Sequence, residues 1–151
     1  MAREIVLFKD HPETLRQVSQ EVTEFGTALV YAIDNMTYVM RSCHKAIGIA
    51  AIQVNEPLRL GILELNYDKK NVGKPFVMVN PQVISSGGLV LNNESCLSLP
   101  GQVVKKHRAD LLKLRYQTVE GKWEEQTFRG LWARCVAHEI DHMNGKLIID
   151  K

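Results

Sequence analysis

The sequence predicts an α+β fold, with mostly antiparallel β-sheets packed around a central HExxH-bearing helix and helices toward the N-terminus. Three observations predict it. Apolar residues recur at helical spacing from position 27 to 43, short β-rich runs divided by turn residues fill positions 58 to 128, and a second helical pattern starts near position 130. No repeat, low-complexity tract or linker interrupts this order, so the 151 residues are expected to form one domain over 1–151.

A first helix is expected from Pro12 to about Phe25, because proline suits a first turn and Leu15, Val18 and Val22 face one way. Thr27 is placed to cap a second helix running to about Cys43, in which Leu29, Ile33, Met36, Met40 and Cys43 alternate at steps of four and three. That stripe reads as core, and its Met and Cys residues as packing groups. Strands are expected over Leu58–Leu65, Phe76–Val79, Leu89–Asn92, Leu111–Gln117 and Trp123–Phe128, separated by Asn, Gly, Pro and Lys. The last helix starts near Gly130, places Leu131, Val136, Ile140 and Met143 at apolar positions, and stops at Asn144-Gly145.

Composition narrows the function. Hydrophobic residues at 45% and charged residues at 24% match an ordinary globular protein. A formal charge of +2, with Lys and Arg scattered among acids, offers no basic stripe for a phosphate backbone, so direct nucleic-acid binding is not expected. The start MAREIVLFKDHPETLRQ lacks a secretory pattern and no apolar run spans a bilayer, so a cytoplasmic protein is expected, with an organelle as the alternative. The odd set Cys43, Cys96 and Cys135 argues against a disulfide framework.

Residues 138–142 read HEIDH, which puts His138 and His142 at i and i+4 on one helix face, where both can bind one ion. Glu139 beside the first ligand is within reach of an attacking water as general base. Taken alone the motif is moderately specific, and an exposed helix that happens to carry two His is the competing account. Residues 94–100 read ESCLSLP and place Cys96 outside any packing stripe. A thiolate is a natural third ligand for zinc or ferrous iron, whereas a small buried hydrophobe is the bland account of a single Cys. Residues 46–53 read AIGIAAIQ, small side chains that permit close approach and end in Gln53. Tight helix-to-sheet packing explains that run equally well by itself.

Together the three segments resemble the peptide deformylases, whose signatures GxGxAAxQ, EGCLS and QHExDH occur in this order along the chain. The resemblance spans nearly the whole sequence. It implies that Cys96, His138 and His142 bind one divalent metal, that Glu139 is the acid/base, that Gln53 and the backbone N–H of Leu97 receive the developing oxyanion, and that Ile47 and Gly48 line the substrate cleft. It implies removal of the N-formyl group from N-formylmethionyl nascent peptides, releasing formate. Ferrous iron is the favoured native ion, with Zn2+, Ni2+ or Co2+ able to occupy the site. Many bacterial members carry a C-terminal helix that docks at the ribosome; this sequence ends at Lys151, so ribosome proximity is expected to be transient and without such a helix.

Three positions depart from the signatures: Ala46 and Ser95 replace glycines and Ala137 replaces a glutamine. Ser95 would be strained if its backbone required φ > 0, and Ala137 removes a polar group beside His138. Asp141 points away from the shared metal face and needs another partner. The resemblance offers Arg108, and a partly buried bidentate Arg108–Asp141 pair would tie the Cys96 segment to the histidine helix. Two rivals stand beside the deformylase reading: a relative acting on another N-acyl or amide substrate, and a catalytically weak protein that binds the metal for stability.

Overall fold

The computed structural model describes residues 4–43, 46–65, 73 and 75–150. Its elements are α1 (Pro12–Leu15), α2 (Thr27–Ser42), β1 (Gly48–Ala50), a 3-10 turn (Ala51–Val54), β2 (Leu60–Leu63), β3 (Phe76–Gly87), β4 (Val90–Cys96), β5 (Leu99–Arg108), β6 (Leu111–Gln117), β7 (Trp123–Arg129) and α3 (Gly130–Met143). Five strands form one sheet in the order β1-β2-β3-β6-β7, and β4 and β5 form a separate two-stranded sheet. Every pairing between these strands is antiparallel. The predicted α+β class therefore holds.

The α2 stripe buries Leu29, Met36 and Met40 against Ile49, Leu60 and Ile62, while Ile33 and Cys43 lie at its margin. Each fully buried side chain of this size contributes roughly 1.5–3 kcal/mol. Thr27 is the first helical residue and not the cap; Gly26 takes that place, and no side chain caps the helix. The first helix is much shorter than expected, because the backbone beyond Leu15 finds distant partners instead of helical ones. Gln20 bridges Leu58, its N–H donating to the Pro57 carbonyl at 2.8 Å, and the Asn80 side chain takes both the N–H and the carbonyl of Val22 at 2.8 Å. Val18, 68% exposed, never joins the core.

β3 continues eight residues past the expected Val79. Its register shifts between Val79 and Gln82, where Asn80 adopts φ 49° and Pro81 has no N–H to give, and it resumes pairing with β6 to Gly87. α3 packs Val136, Ile140 and Met143 against Leu63, Met78, Leu114 and Phe128. It ends as its sequence indicated, at Asn144, with Gly145 at φ 72°. A Cβ on Gly145 would collide with the Arg16 carbonyl, so glycine both permits the turn and lets the chain fold back closely. Leu147 and Ile148 then bury beside Leu15, Ile52, Cys96 and Leu99, which forms the wall behind the cysteine.

Candidate active site

Three elements meet at one cleft of about 550 Å³. β4 ends on Cys96, α3 carries His138 and His142 one turn apart, and β1 with the 3-10 turn brings Gly48 and Gln53. One ligand atom from each of Cys96, His138 and His142 lies within 4.8 Å of the other two, and Cys96 Sγ is 3.3 Å from His142 Nε2. Tetrahedral bonds of about 2.0–2.3 Å put neighbouring ligand atoms about 3.5 Å apart, so the donor set fits one zinc- or iron-like ion with a fourth position free.

The strand period explains why Cys96 faces the helix. Along β4, burial alternates from Asn92 onward, so Glu94 and Cys96 share the inward side while Asn93 and Ser95, which also border the cleft, are exposed. Ser95 needs no positive φ: outside glycine, the described residues with positive φ are Asn55 and Asn80. Ala46 and Ala137 pack at the margins of the two larger clusters, so both substitutions are absorbed as packing.

Glu139 is buried beside these three candidate ligands, and its Oε1 has no hydrogen-bond partner among the described residues. Burial pushes its carboxyl up to about 7, against the pull of His138 and Arg108. A Cβ at Gly48 would lie 2.5 Å from Glu139 Oε2 and 2.6 Å from Leu63 Cδ2, so the glycine in AIGIAAIQ makes room for this carboxylate. Gln53 is fully enclosed: its Oε1 accepts the Ala50 N–H at 3.0 Å, and its Nε2 donates to Ser98 Oγ at 3.1 Å and stands 3.8 Å from Cys96 Sγ. Ile47, Gly48, Gln53, Leu97, His138 and Glu139 all line the cleft, whereas His142 lies behind it.

Arg108 and Asp141 do meet, with Nη1 donating to Asp141 Oδ2 at 2.6 Å, but the pair is not bidentate. The fork goes to Glu94 instead: Nε and Nη2 donate to its two oxygens at 2.7 and 2.9 Å. A buried guanidinium has five N–H donors and one carboxylate cannot satisfy them, so Asp141 takes one of those that Glu94 leaves. Glu94 Oε1 also accepts from His138 Nδ1 at 3.1 Å, which fixes the tautomer and leaves Nε2 for an ion. Burial alone would raise the Glu94 carboxyl, but the hydrogen bonds from His138 and Arg108 overcome it and hold the group at about 2. Arg108 is correspondingly held protonated, the two acids outweighing burial. Sequence reasoning missed Glu94, although it stands two residues before Cys96, the spacing that puts side chains on one face of a strand. It also missed Ser98, although this serine closes the ESCLS segment at 94–98.

The chain matches the family model described as polypeptide deformylase over residues 2–151. It is 36% identical over 151 residues to a peptide deformylase of Rhodopseudomonas palustris (strain TIE-1), covering 98% of this chain and 84% of that one. It is 38% identical over 138 residues to one of Bartonella tribocorum, covering 90% and 77%. Among solved structures it is similar to a peptide deformylase from Legionella pneumophila, with TM-score 0.89, 37% identity and coverage of 99% and 85%. A second, from Thermotoga maritima, gives TM-score 0.88 and 32% identity, covering 100% and 97%.

Proposed function

Since the chain belongs to the polypeptide deformylase family, metal-dependent enzymes that deformylate nascent peptides, we propose that Cys96, His138 and His142 hold the metal and Glu139 moves the protons. The observation that carries this reading is the convergence of the three ligand atoms within 4.8 Å, with the buried Glu139 alongside. The substrate is an N-formylmethionyl peptide, met in the cytoplasm during transient proximity to the ribosome, and the whole chain acts as one catalytic domain. Among the described residues no helix is long and apolar enough to cross a membrane.

Ferrous iron is the ion this reading favours, with zinc, nickel or cobalt as substitutes; when bound, it supplies the Lewis acidity that lets water act as a nucleophile near neutral pH. Glu139 takes a proton from the attacking water as its oxygen bonds to the formyl carbon. It returns that proton to the nitrogen as the C–N bond breaks, which yields formate and a free amine. Burial of Glu139 favours the protonated form that it takes between the two transfers. Gln53, its carbonyl pinned by Ala50, and the Leu97 N–H donate to the oxyanion that forms, each worth about 3–4 kcal/mol if well aimed. Arg108 and Glu94 keep His138 in its liganding tautomer, and Ile47 and Gly48 form part of the wall along which the peptide lies.

Glu139→Gln tests the reading, in protein purified anaerobically with iron or nickel and assayed on formyl-Met peptides. Turnover should fall by about 10²–10⁴ while metal content stays stoichiometric. Undiminished turnover would remove Glu139 from the mechanism. A wild type inactive on these peptides would favour another N-acyl substrate or a purely structural ion, although such an ion would need neither Glu139 nor Gln53.

A further inference from the structure

The cleft also presents a cation that this chemistry does not use. Arg134 lies four residues before His138, on the same side of α3 and one turn nearer its start, and it lines the cleft. Its side chain is 23% exposed, and its partner among the described residues is Asp110, 4.0 Å from Nη1 and itself 53% exposed. No hydrogen bond joins its N–H groups to another described residue. Arg108 a short way off is the contrast, with its guanidinium engaged by two acids. The acids of the cleft are otherwise committed: Glu94 accepts from Arg108 and His138, and Glu139 is buried at the floor. The wall across from α3 offers Asn92 and Asn93, which carry no charge. The cleft therefore holds a positive charge whose N–H groups, among the described residues, meet only the distant carboxylate of Asp110.

We propose that Arg134 is a specificity-determining residue that favours nascent peptides with an acidic side chain at the second or third residue. The inference rests on the deformylase reading, which fixes the formyl group beside Cys96 and His138. From there an extended peptide advances about 3.3 Å per residue, and one helical turn separates His138 from Arg134 by about 5.4 Å along the axis. A peptide laid along α3 toward the start of that helix, the path this proposal assigns to it, brings the side chains of its second and third residues within an arginine's reach. A carboxylate there can take the guanidinium fork that Asp110 leaves unfilled.

The test uses the metal-loaded protein and C-terminally amidated formyl-Met-Xaa-Ser and formyl-Met-Ser-Xaa peptides, with Xaa as Glu, Gln or Lys. For a partly exposed ion pair, kcat/KM for Glu should exceed that for Gln by about five-fold at one of the two positions, with Lys lower still, and the difference should lie in KM. Raising the salt to about 0.5 M should compress the ranking. Arg134→Gln should abolish it and Arg134→Glu should invert it. A wild type indifferent to Xaa at both positions, or a ranking that survives in Arg134→Gln, overturns the inference while leaving the deformylase reading intact. An arm independent of turnover titrates acetyl-Met-Glu-Ser amide and its Lys, Ser-Glu and Ser-Lys counterparts against the same proteins by NMR. The same Glu preference should appear in affinity and disappear in Arg134→Gln, and equal affinities sink the inference even if no formyl peptide is hydrolysed.

Discussion

Replacing Glu94 by Gln should destabilise the metal-free protein far more than replacing Asp141 by Asn, although both acids touch Arg108. Glu94 is 10% exposed, Arg108 7% and Asp141 26%, so water screens the Asp141 contact and barely reaches the other. Holding the Glu94 carboxyl at about 2 instead of its ordinary 4.5 corresponds to about 3 kcal/mol in favour of the folded, ionised form. The more solvated Asp141 pair should be worth about 1 kcal/mol or less. Because the folded value lies below the unfolded one, the Glu94 contribution is complete above about pH 4.5 and is lost as pH falls through about 2. Urea denaturation of chelator-treated protein should therefore show a Glu94→Gln deficit of about 3 kcal/mol at pH 7 that shrinks to about half at pH 3. Arg108→Met strands two acids and should cost about 3–5 kcal/mol, and combining it with Glu94→Leu should be milder than the sum by about 0.5–3 kcal/mol. Equal costs at Glu94 and Asp141, a deficit indifferent to pH, or strict additivity would each refute the reasoning.

Cys96→Ala, His138→Ala and His142→Ala should each abolish stoichiometric metal by mass spectrometry of the purified protein, whereas Cys43→Ala and Cys135→Ala should keep it; metal retained in any of the first three contradicts the ligand set. Gly48→Ala should keep the metal yet lower kcat by about 10²-fold, because the new methyl occupies the place of Glu139 Oε2, and wild-type turnover would show that the carboxylate is not confined there. Burial, and then the charge of Glu139, push the Cys135 thiol up to about 12. At pH 8 its thiolate should be about a thousand-fold scarcer than that of an ordinary thiol, so iodoacetamide should label it only after unfolding. Equal labelling rates in folded and unfolded protein would be the contrary result.

The elements legible in the sequence were those whose patterns one buried face enforces. α2, β6 and α3 each turn a periodic apolar side to a core and end close to where the pattern ends, whereas β7 is marked by its β-prone residue types and buries Phe128 alone. β5 escaped because Leu99–Arg108 reads LPGQVVKKHR, with a Pro-Gly pair and consecutive basic residues, and its outer positions face solvent. The extension of α1 failed for a different reason: Gln20 and Val22 are claimed by Leu58 and Asn80, partners far along the chain. At the site, Cys96, His138, Glu139, His142 and Gln53 are legible within the three motifs because their types are chemically demanding. Glu94 was overlooked because a carboxylate two positions from a cysteine looks unremarkable until the strand's alternation is drawn. Arg108 was matched to one real partner, but its appetite for a second acid went unconsidered.

The β4–β5 hairpin shares no strand ladder with the five-stranded sheet. Its attachments include the backbone bond from Phe8 to Ser98, the Gln53 amide donating to Ser98 Oγ, the Arg108 and Glu94 contacts to α3, the Lys106 ammonium donating to the Asp150 carbonyl, and the packing of Cys96 and Leu99 against Leu15, Ile52, Leu147 and Ile148. One ligand of the proposed centre therefore sits on a ribbon joined to the rest by side-chain contacts and not by a ladder, and native-state amide exchange is expected to show whether it opens as a separate cooperative unit. An ion bound across that seam raises the free energy of this opening selectively, by mass action, and leaves the β2–β3–β6 interior with the stability it already has. Chelator resistance is then expected to follow how firmly one β-ribbon is latched more closely than the global stability of the protein.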